Sequence, residues 1–143
     1  MKKSKLYNLL TVVLLIVTFC TLTFTQVLEI SWTDAYNNTG INRYTFIDSS
    51  VKLLYQYGDT YYTFMIGSIS FIVIAIVAIL INKNHLSESL IYSSAVLIGI
   101  VFCATNQSIL DAQVLLALAS ILLAVISCDI SKEYRLKEIK SEK

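Results

Sequence analysis

The single histidine, His85, lies beside Lys83 and near Glu88, with Ser87 and Ser89 on either side of that carboxylate. Hydrolytic chemistry needs a nucleophile, a base within hydrogen-bond reach and a third group that orients the base. Here the candidate groups are near neighbours in one short segment, and a solvated loop accounts for them. No catalytic set is predicted, and the expectation is a protein that is not an enzyme. Cys20, Cys103 and Cys128 all fall in apolar stretches. Their odd number and irregular spacing match no zinc, redox or disulfide pattern, so neither a metal nor any other cofactor is expected. They read as small apolar side chains packing between helices. Asp111 follows Ser108 by three residues and opens an apolar run. That spacing suits a helix start, the hydroxyl accepting a free amide and the carboxylate facing the positive end of the dipole. The competing reading of Asp111 is a carboxylate at an ion mouth.

The elements that would position such groups are four apolar stretches, Leu6–Leu28, Tyr61–Ile81, Leu86–Ala104 and Ile109–Cys128. They carry no charged residue apart from Glu88 and Asp111 in their opening turns, and each approaches the roughly 17 to 25 residues that cross a hydrocarbon core of ~30 Å. The apolar fraction of 56% and mean hydropathy of +0.68 agree, since soluble domains average roughly 45–50%. The expected fold is an all-α membrane protein, a four-helix transmembrane bundle in one domain over residues 1–143. A small extracytoplasmic cap occupies residues 29–60, between helices 1 and 2, and a tail runs from 129 to 143. A net charge of +1 lacks the basic excess that nucleic-acid binding requires, so no nucleic acid is expected as a partner.

Orientation follows from the basic residues, which are retained on the cytoplasmic side. Lys2, Lys3 and Lys5 precede the first stretch, Lys83 lies between the second and third, and Lys132, Arg135, Lys137, Lys140 and Lys143 follow the fourth. Both termini are therefore expected in the cytoplasm of a cell membrane. A basic start followed by an apolar run also describes a secretory signal, and Val17-Thr18-Phe19-Cys20 approaches a lipoprotein cleavage box. The apolar run is longer than the 7–15 residues of a signal core, no small-residue site follows it, and Phe19 stands where the box needs a small side chain. A retained anchor is expected.

The chain has no proline and four glycines, Gly40, Gly58, Gly67 and Gly99. Transporters commonly build ion and substrate sites where Gly or Pro interrupts a helix, whereas this composition predicts continuous helices. Polar residues within the stretches are mainly Ser and Thr, which can return their hydroxyls to the preceding turn. Thr11, Thr18 and Thr25 recur every seven residues, with Thr21 on the same face. Ala95, Gly99 and Cys103 are spaced by four, as are Ser120, Ala124 and Cys128. Small residues at that interval let helix backbones approach closely. They predict a tight antiparallel hairpin of the third and fourth spans.

The segment from Glu29 to Thr60 is where recognition could reside. Ile30 and Trp32 alternate with polar neighbours, as do Tyr44 and Phe46, around the turn-prone Asn37-Asn38-Thr39-Gly40. A β-hairpin is predicted. Ser49 and Ser50 would cap a short turn carrying Val51, Leu54 and Tyr55, with Tyr57, Tyr61 and Tyr62 at the membrane interface. Trp32, Tyr36, Tyr44 and Phe46 form the candidate partner-binding set, because exposed aromatics are common energetic anchors. The alternative is a cap packed on the helix ends.

Four spans, a long first outer loop with strands, a short second outer loop and cytoplasmic termini together resemble the layout of claudins. Claudin-type loops carry a Trp, Gly-Leu-Trp, Cys, Cys signature, of which Trp32 alone is present. The Ile-, Lys- and Asn-rich composition suggests an AT-rich bacterial genome. The expected function is that of a non-catalytic multi-pass membrane protein acting through protein contacts, such as an accessory subunit or immunity-type protein of a bacterial membrane. Its expected partners are the lipid bilayer and either another membrane or extracytoplasmic protein or a second copy of itself. The rival is an oligomeric channel or small transporter, with Thr18, Thr21 and Thr25 along a path and Glu29 at its mouth.

Overall fold

The computed structural model describes residues 2–53, 58–105 and 112–141, the side chain of Thr105 excepted. Helix α1 spans Lys3–Phe24, strand β1 Leu28–Thr33, strand β2 Thr39–Tyr44, a 3₁₀ turn Ser49–Leu53, helix α2 Gly58–Leu80, helix α3 Asn84–Thr105 and helix α4 Ala112–Ser141. All four helices are long and apolar enough to cross a membrane. At 1.5 Å per residue the 22 residues of α1 rise about 33 Å, and the 30 residues of α4 about 45 Å. The α4 tail therefore continues as helix well past Cys128.

The first apolar stretch divides where hydropathy alone does not. Thr25 adopts extended backbone, φ −113° and ψ 148°, and its N–H closes on the Thr21 carbonyl. Val27 and Leu28 then leave the helix, and Leu28 opens β1. Both are fully buried, because the strand folds back over the end of the bundle. Apolar content there serves the cap, so the span ends four residues short of the expected Leu28.

Helix α4 packs chiefly along α1, and α2 along α3, while α3 and α4 meet much less. The predicted hairpin of the third and fourth spans is thus not the main pairing. The core runs through Leu15, Leu22, Met65, Ile72, Ala75, Ile91, Ile98, Ala117, Ile121 and Ala124. Its polar content is unusual for a soluble bundle: Ser4, Thr11, Thr18, Thr21, Ser68, Ser94, Ser120, Ser127 and Ser131 are buried, while Leu9, Val13, Ile16, Val77, Val96, Leu116, Leu122 and Ile126 are exposed. Such an apolar exterior over a hydroxyl-bearing interior suits surroundings as oily as the side chains themselves.

Candidate functional site

Strands β1 and β2 pair antiparallel, with Leu28 opposite Tyr44, Ile30 opposite Asn42 and Trp32 opposite Gly40. Side chains alternate along a strand, so these six share one face. Its near end is anchored, since Leu28 and Ile30 are buried and Tyr44 packs against the core. The far end is free. Trp32 is 39% exposed and its Nε1 donates to Asn42 Oδ1 at 3.3 Å, while Asn42 Nδ2 donates to the Tyr44 hydroxyl at 3.1 Å. The indole lies over Gly40, where a Cβ would stand 2.5 Å from the Trp32 ring. On the opposite face Glu29 and Arg43, directly paired, close an ion pair at 2.7 Å.

The hairpin tip is built by Asp34. Its Oδ1 accepts the N–H groups of Tyr36 and Asn38, each at 2.8 Å, and its Oδ2 accepts the Asn38 amide at 2.8 Å. Donation from the Asn38 side chain, then from the Asn38 and Tyr36 backbone, lowers the Asp34 pKa. Asn37 takes the left-handed conformation, φ 63°, which Asn tolerates better than most residues. The turn therefore occupies residues 34–38, and Thr39 and Gly40 belong to β2. The predicted turn at 37–40 was set too late because the Asp34 side chain organises the reversal from upstream. Tyr36 sits at this tip, 87% exposed.

Phe46 corrects the proposed aromatic set. It is fully buried, meets Phe102 of α3 edge-on at 5.4 Å between centroids, and donates its N–H to the Leu22 carbonyl at 3.0 Å. Phe46 holds the cap on the bundle and is not available to a partner. The 3₁₀ turn is set by Asp48, whose Oδ1 accepts the Ser50 N–H at 2.9 Å, in place of the predicted Ser49 and Ser50 caps. Val51 is buried beneath it. Lys52 lies over the Tyr62 ring at 4.5 Å, joining turn to helix. The expectations for Leu54, Tyr55 and Tyr57 and for the Ser108–Asp111 helix start fall outside the described residues.

Of the predicted recognition residues, Trp32 and Tyr36 are thus accessible, Tyr44 buttresses them and Phe46 is core. Among the described residues of the cap, the exposed apolar Ile41, Ile47 and Leu53, the last 90% exposed, were not in that set. Ile41 pairs with Ser31 on the face away from Trp32. An apolar residue on the polar phase of an alternating strand is the signal that could have found it.

The predicted helix-packing residues separate into two groups. Ser120, Ala124 and Cys128 are buried, and Ser120 is turned to α1. There Ser120 Oγ and Thr18 Oγ1 lie 2.8 Å apart. Thr11 Oγ1 meets Ser127 Oγ at 3.0 Å, and both reach the Tyr7 carbonyl. Ser131 Oγ donates to the Ser4 carbonyl at 3.0 Å and to Asn8 Oδ1 at 2.5 Å, and Ser4 Oγ donates to Glu138 at 2.8 Å. Tyr7 stacks on Tyr134 at 5.6 Å. Ala95 is half-buried, Cys103 is exposed, and a Cβ on Gly99 would meet nothing within 4 Å. On α3 the spacing by four is therefore not a close-packing stripe, because the buried face is carried by Ile91, Ser94, Ile98, Val101 and Phe102. The sequence reading missed Ser4, Ser127 and Ser131, although extending the heptad of Thr11 and Thr18 backwards lands on Ser4.

Among the described residues no three His, Cys, Asp or Glu side chains gather as a metal set. Comparison with protein-family models, curated proteins and solved structures finds no match for this chain.

Proposed function

We propose that this chain is a non-catalytic multi-pass protein of a bacterial cell membrane, an accessory subunit or immunity-type protein that recognises another membrane or extracytoplasmic protein through its cap. The observation that carries this reading is the division of the hairpin into an anchored half and a presented half. Leu28, Ile30 and Phe46 are buried against the bundle, whereas Trp32 and Tyr36 project beyond it on a strand pair fixed by register, ion pair and Asp34 turn. Aromatic side chains on a preorganised scaffold lose little entropy on binding, which is how a small surface reaches useful affinity.

The channel reading draws less support. Of Thr18, Thr21 and Thr25, the residues assigned to a path, the first two are buried, and Thr18 is engaged with Ser120 within a single bundle. In this proposal both termini and the α4 tail face the cytoplasm, in keeping with the basic residues at that end.

A photo-reactive amino acid at Tyr36 in the native host tests the assignment. A discrete cross-linked protein is expected from that position, lost when Trp32→Ala is added and absent when the probe is placed at lipid-facing Leu122. Cross-linking that ignores Trp32, or selective solute flux through liposomes holding the purified chain alone, would overturn it.

A further inference from the structure

At the base of the cap Ile47 is 48% exposed and Leu53 90%. Single apolar side chains on a surface are ordinary, so what matters is the level at which these two stand. Helix α1 gives way to extended backbone at Thr25, and the Phe46 N–H meets the Leu22 carbonyl at 3.0 Å. In a continuing helix that carbonyl would take the N–H four residues on, so Phe46 stands at the level residue 26 of such a helix would reach. Leu6 is the first apolar residue after Lys2, Lys3 and Lys5. The rise from there to the level of Phe46 is about 30 Å, the thickness of a hydrocarbon core. Ile47, next in the chain, therefore lies at the far edge of that core.

The 3₁₀ turn is tied to the same edge through α2. A Cβ on Gly58 would stand 2.7 Å from the carbonyl oxygens of Val51 and Lys52, Val51 is fully buried, and the Lys52 ammonium lies over the Tyr62 ring at 4.5 Å. Gly58 precedes Tyr62 by one helical turn, about 6 Å along the axis, which matches the roughly 5–7 Å of headgroups on each side of the core. Leu53 follows Lys52 directly and so stands within that layer, where amphipathic segments bury their apolar face at the acyl boundary. The charged residues between Phe46 and Tyr62 are Asp48, Lys52 and Asp59. Their sum does not attract an anionic surface, so apolar burial must hold any contact made there.

We propose that Ile47 and Leu53 form a foothold in the adjacent lipid leaflet, resting the cap on the acyl edge of the bilayer and continuing the lipid-facing surface of the spans. The proposal rests on the membrane placement given above. It divides the cap by occupant: the base, from Phe46 to Leu53, meets lipid, and the tip with Trp32 and Tyr36 is left to the partner. Lys52 fits this placement, its stem running down to Tyr62 while its ammonium stays among the headgroups, as long basic side chains do at an interface. A base held at fixed depth sets the height at which the hairpin presents its aromatic rings.

The test is a spin-label depth measurement on the full chain in phosphatidylcholine vesicles. With Cys20, Cys103 and Cys128 replaced by alanine, a nitroxide is placed in turn at Tyr36→Cys, Ile47→Cys, Leu53→Cys and Leu122→Cys, all exposed positions whose exchange leaves the core intact. Collision with oxygen, which concentrates in lipid, is compared with collision with a water-soluble nickel chelate. The labels at Ile47 and Leu53 should favour oxygen several-fold more than the label at Tyr36, with Ile47 deeper than Leu53 and Leu122 deepest. Nickel access at Leu53 equal to that at Tyr36 would overturn the foothold, even with Ile47 shielded, and would leave Leu53 to a protein partner. Phosphatidylglycerol vesicles should give the same depths. Entry confined to phosphatidylglycerol would make charge the driving force and overturn the proposal as well. The label at Leu122 separates the two levels: where it favours oxygen and Leu53 does not, this inference alone fails, and where it too meets nickel, the membrane placement fails with it.

Discussion

Two glycines decide the cap at the scale of single residues. A Cβ at Gly40 would collide with the Trp32 ring at 2.5 Å, and one at Gly58 with the carbonyl oxygens of Val51 and Lys52 at 2.7 Å. The first collision is with a side chain that can swing away, the second with backbone that cannot. Gly40→Ala should therefore release the indole into solvent, seen as a red shift of the emission from this single tryptophan, at a cost of about 1 kcal/mol, the low end of overpacking penalties. Gly58→Ala should cost more, about 2–3 kcal/mol, and lower the thermal midpoint in detergent, because the 3₁₀ turn must separate from the start of α2. Asp34 gives the pH dependence. Its folded pKa is depressed, so its contribution is complete above the unfolded value of about 3.9 and disappears as pH falls through the folded value. Hydrogen exchange should show the Asn38 amide protected equally at neutral and mildly acidic pH, losing protection only in strong acid. Loss of protection already at mildly acidic pH would exclude Asp34 as the clamp.

At the scale of elements, helix existence was legible in the sequence and helix partners were not. Runs of Leu, Ile and Val with little charge specify a long apolar helix whatever lies beside it, and α2 and α3 begin and end within a few residues of expectation. Pairing depends on which face carries which side chain, and spacing by four occurs on α3 as well as α4 without meaning the same thing. Ser120 is buried against α1, whereas a side chain at Gly99 would meet no neighbour. The β-hairpin was readable from alternation, but not the burial of Phe46, since a strand pattern does not say which end is covered by helices. The seam itself is testable. Ala124 is fully buried, so Ala124→Leu should force α4 from the elements packed on it and destabilise by about 1–3 kcal/mol, as overpacking does. Gly99→Ala should be neutral or stabilising by up to about 1 kcal/mol, the helix-propensity difference alone. Thr18→Val removes one interhelical hydroxyl contact and should cost about 0.6 kcal/mol, since such contacts in membranes are individually weak. Thermal unfolding in one detergent ranks all three, and a Gly99→Ala cost equal to that of Ala124→Leu would restore the α3–α4 hairpin as the principal seam.

For the whole molecule, the distribution of polarity is the governing fact. Hydroxyls are buried and branched aliphatics face outward, an arrangement that water would penalise and hydrocarbon would not. Length adds direction to this. Helix α4 exceeds a ~30 Å core by about 15 Å, and the excess carries Lys132, Arg135, Lys137 and Lys140 against the basic start of α1, joined by Ser4 with Glu138 and Tyr7 with Tyr134. The tail is thus docked on the first helix instead of fraying. Basic residues gathered from both ends of the chain are held together at one end of the bundle, and the hairpin occupies the other, where the C-terminal end of α1 meets Phe46. Because basic flanks stay in the cytoplasm, the two ends should label oppositely. In a background with Cys20, Cys103 and Cys128 replaced by alanine, a membrane-impermeant maleimide applied to intact cells should modify Tyr36→Cys and spare Lys140→Cys until the membrane is permeabilised. Both positions are exposed, so accessibility within the fold does not confuse the result. Labelling of Lys140→Cys in sealed cells would reverse the molecule, place the aromatic cap in the cytosol and remove the extracytoplasmic partner from the proposed function. Labelling of both would show that the chain does not seal into the bilayer as four spans.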